Sequence, residues 1–153
     1  MDDWSLRLVA RGFPLDDIPA PAALYRPVVV HGGLAFVSGA LPISGGQLTS
    51  RGPVGHDVTL EEARSATELC AANVLRALLR ELGSPHRLER LLRVAGYVQS
   101  APGFGDQHLA LNGASEFFVA VLGDAGVHAR SAIGVSGLPL GASVEIDAIF
   151  AVR

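Results

Sequence analysis

The stretch from Ala129 to Val152, ARSAIGVSGLPLGASVEIDAIFAV, decides how this chain is read. Arg130 stands at the head of an apolar strand, and Glu145 and Asp147 lie within the last strand. Leu138-Pro139-Leu140-Gly141 between them supplies the Pro and Gly of a tight connection, so the segment reads as a hairpin. In that register Leu138 pairs with Ser143, Glu145 faces Ser136 and Arg130 faces Ala151. Arg130 and Glu145 then stand on the order of 20 Å apart along one sheet at about 3.3 Å per residue. An arginine offers a permanently charged planar fork that grips carboxylates at two points. Arg130 and Glu145 share a site only if strongly bent strands or a second subunit bring them together, and if both side chains are functional the site is expected between subunits.

Working outward from this segment, Leu92–Gln99 reads as a strand and Phe104 to Leu122 as a helix with Leu109, Leu111, Ala114, Phe117, Phe118 and Val121 on its apolar positions. A longer helix begins with Thr59-Leu60-Glu61-Glu62, a capping box in which the Thr59 hydroxyl and the Glu62 carboxylate satisfy free N–H groups. Its apolar stripe of Ala63, Ala66, Cys70, Val74, Ala77 and Leu78 runs to about Leu82, and Gly83 ends it before Pro85. Pro27–His31 and Leu34–Ser38 are strands around a His31-Gly32-Gly33 turn. Gly39–Val58 reads as loop, Gly12–Ala23 as an extended Pro-rich covering segment, and Ser5–Ala10 as a short first strand. The order β–ββ–α–β–α–ββ predicts an α+β sandwich, a mixed sheet with two helices on one face. The whole chain, 1–153, reads as a single domain with an N-terminal extension over about residues 1–24.

Composition narrows the classes. Hydrophobic residues are 49% and charged residues 18% of 153, so a folded core is expected, with apolar surface left for subunits to cover. A net charge of -3 opposes binding driven by phosphate neutralisation; Arg87, Arg90 and Arg93, the one loose basic cluster, read as a solvated face. The single cysteine, Cys70, rules out an intrachain disulfide and sits in an apolar helical run as a buried thiol. The five histidines lack metal-ligand spacing, and no metal or cofactor is expected. An acidic N-terminus and the lack of any long apolar window lead to the expectation of a cytoplasmic protein that does not enter a membrane. There is no P-loop, GxGxxG, HExxH or GxSxG.

What remains is small features. Tyr25 closes the Pro-rich segment, and Ser38-Gly39 ends a strand with so little side chain that a ligand can approach the backbone and meet its N–H groups. Tyr25, Ser38-Gly39 thirteen residues later, then helix, strand, helix and the closing pattern R-S-x-x-x-V-x-x-L-P-x-x-x-x-V-E-I resemble the Rid/YjgF family from about Tyr25 to Val152. The resemblance implies a chorismate-mutase-like sandwich assembled as a homotrimer with clefts between subunits. It implies hydrolysis of reactive enamines and imines from pyridoxal-phosphate enzymes to a 2-oxo acid and ammonia. Arg130 would then clamp the substrate carboxylate, the backbone at Ser38-Gly39 would contact the acid, and Glu145 would activate water. Tyr25 would line the cleft from the neighbouring subunit. Ala132 stands where family deaminases often carry a cysteine, and offers backbone contacts only. The N-terminal extension and the Ser44–Gly55 loop depart from short members. Two rival readings are a trimer that binds small carboxylates without turnover, and an endoribonuclease, which the acidic balance opposes.

Overall fold

The computed structural model describes residues 3–20 and 24–153. The last residues of the Pro-rich segment, 21–23, lie outside them. A five-stranded sheet has the order β1-β2-β7-β5-β6, built from β1 Val28–His31, β2 Leu34–Ala40, β5 Leu88–Gln99, β6 Ala129–Val135 and β7 Val144–Val152. All neighbours are antiparallel except β5 and β6, which are parallel. Helices α2 (Leu60–Leu82) and α3 (Gln107–Leu122) cover one face, as an α+β sandwich requires.

Burial alternates along β7. Val144, Ile146, Ala148, Phe150 and Val152 go into the core against the helices, and Glu145, Asp147, Ile149 and Ala151 turn to the opposite face. The α2 capping box is present, with Thr59 Oγ1 accepting from the Glu62 N–H and Glu62 Oε2 accepting from the Thr59 N–H. Gly83 closes the helix in the left-handed conformation. The β1–β2 turn uses Gly32 and Gly33 at φ +57° and +77°, a pair of angles that glycine adopts without steric cost.

The structure corrects five readings of the chain. Residues 4–10 form a helix, α1 (Trp4–Ala10), rather than a strand. Asp3 caps it by accepting from the Ser5 N–H, and Trp4 and Leu8, one turn apart, are fully buried while Leu6 is exposed. The Trp4 indole N–H donates to the Pro85 carbonyl at 2.9 Å, fastening the helix far along the chain. The 39–58 segment contains a small hairpin, β3 (Ile43–Ser44) and β4 (Gln47–Leu48). Strand β5 begins at Leu88, four residues before the expected Leu92, and α3 begins at Gln107 rather than Phe104.

The largest correction concerns the end of the chain. Strands β6 and β7 do not form a hairpin, because β5 lies between them. Since α3 links β5 to β6 as a crossover, these two run parallel, and the 3-10 turn Pro139–Gly141 carries the chain past the end of β5 to its other side. The register becomes Arg130↔Val94↔Ala148 and Ile133↔Tyr97↔Glu145, replacing the pairing of Arg130 with Ala151.

Candidate functional site

The sheet corner where β2 meets β7 carries the first cluster. Pairing between the strands shifts register between Val37 and Ala40, so Ser38 and Gly39 bulge out of the ladder. The Glu145 side chain lies over that bulge. A Cβ placed on Gly39 would stand 2.1 Å from Glu145 Oε1, so the carboxylate rests where a side chain would otherwise be. Ser38 is tied to the strand before it: its N–H donates to the Pro27 carbonyl at 2.8 Å and its hydroxyl to the Arg26 carbonyl at 2.7 Å. The Ser38 N–H is therefore engaged rather than turned to a ligand, and close approach to the backbone is offered by Gly39.

A cleft of about 510 Å3 opens over this corner, lined by Tyr25, Val29, Phe36, Val37, Ser38, Gly39, Glu145 and Asp147. The expected Tyr25, Ser38, Gly39 and Glu145 thus come together within one chain. Glu145 is half-buried, and burial is the main cause that pushes its carboxyl above the ordinary value; the Asp147 charge pushes the same way. Asp147, two residues on and on the same face, accepts a 2.9 Å hydrogen bond from the Tyr97 hydroxyl, and this bond is the leading cause of a raised Tyr97 phenol. Asp147 and Tyr97 were not singled out from the sequence as site residues. The signal available was the i, i+2 spacing of Glu145 and Asp147, which puts both carboxylates on one face of a strand.

Arg130 and Ala132 do not line this cleft. Arg130 pairs across the sheet with the core residues Val94 and Ala148, and Ala132 with Gly96 and the core residue Ile146, so both turn to the helix face of the edge strand β6. The Arg130 guanidinium lies along one face of α3, formed by residues 108, 112 and 115. Its Nη1 donates to Asn112 Oδ1 at 3.0 Å and Ser115 Oγ at 3.1 Å, and its Nη2 to the His108 carbonyl at 3.1 Å. Nε–H and the second Nη2–H are not used by these bonds, leaving donors for a carboxylate.

The support behind Arg130 was not anticipated. His128 Nδ1 stands 2.6 Å from the Gly126 carbonyl, which can only accept, so Nδ1 carries the proton. Its Nε2 then accepts from the Ser115 hydroxyl at 3.0 Å, and Ser115 Oγ in turn accepts from Arg130. Burial chiefly, with the Arg130 charge adding, lowers the His128 pKa and favours the neutral ring this chain requires. An arginine two residues after a histidine on one strand, with Asn and Ser at i and i+3 on a helix, is too loose a pattern to recognise before folding.

Cys70 is fully buried, as expected of a thiol in an apolar run, and burial holds it protonated. The loose arginine cluster is dispersed over separate tasks: Arg87 donates to the Leu82 and Arg153 carbonyls, Arg90 to the Val127 carbonyl and Arg93 to Ser131 Oγ. Among the described residues no three of His, Cys, Asp or Glu stand together as a metal site, and no helix is long and apolar enough to cross a membrane.

Comparison with known proteins places this geometry. The family described as "YjgF/chorismate_mutase-like, putative endoribonuclease" matches residues 5–151. Protein TCP17 of Trypanosoma cruzi is 38% identical over 141 residues, covering 90% of this chain and 87% of that protein. The crystal structure of Atu1372 from Agrobacterium tumefaciens, a protein of unknown function, is 42% identical and superposes with a TM-score of 0.91 over 99% of this chain and 94% of that one. A Shewanella oneidensis protein given the same endoribonuclease name is 26% identical, with a TM-score of 0.94 over 99% of this chain and 100% of that one. The match spans α1 as well as the sheet and both long helices, and the chain belongs to the Rid/YjgF family.

Proposed function

We propose that this protein is a hydrolase of 2-imino acids, releasing 2-oxo acids and ammonia at a site formed between subunits of a homotrimer. The observation that carries the reading is the Glu145 carboxylate, half-buried over the Gly39 backbone in an open cleft with its pKa raised. A carboxylate in that state is a stronger base than an exposed one, and a larger share of it holds a proton near neutral pH.

An imine carbon is already electrophilic, so the chemistry asks for positioning and two proton transfers. Glu145 takes a proton from water as the hydroxide adds to the C=N carbon and passes it to the imine nitrogen. The carbinolamine then collapses: the hydroxyl proton passes by way of Glu145 to the amine nitrogen, the C–N bond breaks, and ammonia leaves with the 2-oxo acid. The substrate carboxylate calls for an arginine, and Arg130 is held at the sheet edge with donors to spare.

Arg130 and Glu145 face opposite sides of one sheet, two strands and three residues apart, or about 14 Å between Cα atoms by strand spacing. One chain cannot bring both to one substrate, so the arginine comes from a neighbouring copy. Exposed Val29, Phe36 and Ile133 on the uncovered face supply apolar area for such an assembly. Dispersal of the arginines into carbonyl contacts gives an RNA backbone little to hold, which counts against the endoribonuclease reading.

The test is hydrolysis of 2-iminopropionate and 2-iminobutyrate, generated in situ by an amino-acid oxidase. Wild type is expected to turn over, with Glu145→Gln and Arg130→Ala each losing most activity. Full activity in either variant contradicts the proposal.

A further inference from the structure

The Glu145 cleft holds a second carboxylate, and its surroundings fix where that group stands. Val37 pairs with Ala148 and Ala40 with Ile146, so the bulged Ser38 and Gly39 together face the single residue Asp147. Asp147 is partly buried on the same face as Glu145 and lines the cleft with it. Tyr97, the cross-strand partner of Glu145, donates its hydroxyl proton to Asp147 Oδ2 at 2.9 Å. That bond orients the carboxylate and leaves Oδ1 without a hydrogen-bond partner among the described residues. Oδ1 is not among the buried unpaired oxygens, so it is open to a guest.

The charges of the cleft are one-sided. No lysine, arginine or histidine lines it, and Val29, Phe36 and Val37 offer no side-chain hydrogen bond. Ser38 gives its N–H to the Pro27 carbonyl and its hydroxyl proton to the Arg26 carbonyl. Glu145 and Asp147 stand about 6.6 Å apart between Cα atoms by strand spacing, close enough for one small guest to reach both. A guest that brought only negative charge would be repelled there. A nitrogen that bears protons meets acceptors instead and, once charged, meets two opposite charges.

Building on the imine-hydrolase reading, we infer that Asp147 receives the substrate's nitrogen: its Oδ1 accepts the nitrogen's N–H while Glu145 handles the attacking water. The nitrogen becomes positively charged when the carbinolamine's hydroxyl proton reaches it by way of Glu145, just before the C–N bond breaks. A carboxylate that accepts from this nitrogen holds it most strongly at that point, and so favours departure of ammonia over retention of the neutral imine. Tyr97 does not line the cleft and is a positioning residue, acting through the carboxylate that it orients. The cleft thus prefers guests with an ammonium at carbon two to guests with a hydroxyl there.

The experiment compares binding of 2-amino-2-methylpropanoate and 2-hydroxy-2-methylpropanoate by calorimetry on the full-length protein. The two differ only in the ammonium or hydroxyl at carbon two, and both carry the tetrahedral carbon and the carboxylate of the carbinolamine. A hydrogen bond to a charged group is worth roughly tenfold to a hundredfold in affinity, so wild type is expected to prefer the amino compound at least about tenfold. Asp147→Asn keeps the shape of the side chain and an acceptor for Tyr97, and is expected to bring the ratio close to one. Tyr97→Phe is expected to lower the ratio several-fold. A wild-type ratio near one overturns the inference, and so does a ratio that survives in Asp147→Asn, whether or not Glu145→Gln abolishes it. Imine turnover measured alongside separates the two claims. A preference that depends on Asp147 without turnover removes only the hydrolase reading, and turnover whose kcat/KM is unchanged in Asp147→Asn removes only the nitrogen assignment.

Discussion

Glu145 occupies the space in which residue 39 would carry a Cβ. A methyl group there would stand 2.1 Å from Oε1 and 2.9 Å from the carboxyl carbon, which no pair of atoms tolerates. Gly39→Ala must therefore displace the carboxylate. The backbone at 39 lies outside the left-handed region, so alanine brings no conformational strain of its own. Activity is expected to fall at least about tenfold, as for a misplaced catalytic group, with a change in Tm of only a few degrees. Unchanged kcat/KM would mean that the position of Glu145 is not used.

Glu145 also sets a pH dependence. Its pKa is raised by burial first and by Asp147 second, and the base must be ionised to accept a proton. Activity should accordingly rise with pH through a midpoint above the ordinary carboxylate value, and Asp147→Asn should move that midpoint down. For stability the sign runs the other way: a raised native-state pKa favours the fold below the unfolded value, and that gain is lost as pH rises through the native value. Glu145→Gln is thus expected to be more stable than wild type at pH 7 while losing activity. Denaturant midpoints at pH 4 and 7 test this.

His128 gives the opposite dependence. Its native pKa is lowered, by burial chiefly, so its contribution to stability is present above about 6.5 and is lost as pH falls through the depressed value. Because the neutral ring accepts from Ser115, acidification also disturbs the anchor of Arg130. Ser115→Ala should raise KM for a carboxylate substrate several-fold at pH 7.5 with a smaller effect on kcat. An equal fall in kcat with KM constant would assign Ser115 elsewhere.

How much of this was legible before folding depended on the range of the interactions. The α2 capping box needs only Thr59 and Glu62, and the alternation of β7 needs only its own nine residues, so both follow from local rules. Placing β5 between β6 and β7 depends on packing α3 as a crossover, which no turn motif records. The Leu-Pro-Leu-Gly segment has hairpin chemistry yet serves as a 3-10 passage across a strand end. Residues 5–10 misled because Leu6 and Leu8 suggest a period of two, while the side chains that are buried, Trp4 and Leu8, follow the helical period. Of the residues named from the sequence, Tyr25, Ser38, Gly39 and Glu145 line one cleft of a single chain, where the expectation for Tyr25 is a place in the neighbouring subunit's cleft; the Tyr97–Asp147 bond and the Asn112–Ser115–His128 support require strands and a helix from distant parts of the chain.

The N-terminal segment is fastened through a buried cation. Arg76 is 1% exposed, and its Nε donates to the Pro14 carbonyl at 2.7 Å, its Nη1 to Asn73, and Asp17 lies 3.9 Å from Nη2. Arg76→Leu leaves these acceptors buried without their donor, and a loss of about 2–4 kcal/mol is expected. Limited proteolysis should cut before residue 20 faster in the variant. Equal cleavage rates would show that the segment is held by Trp4 and Leu8 alone.

The central claim, that Arg130 and Glu145 act on one substrate from different subunits, is tested most directly by subunit complementation. Arg130→Ala and Glu145→Gln are each expected to be inactive alone. When they are co-expressed and assemble at random, about one site in four combines an intact arginine from one copy with an intact glutamate from the next. The mixed protein should then recover roughly a quarter of wild-type imine hydrolysis. A mixture as inactive as its two components would contradict a site shared between subunits.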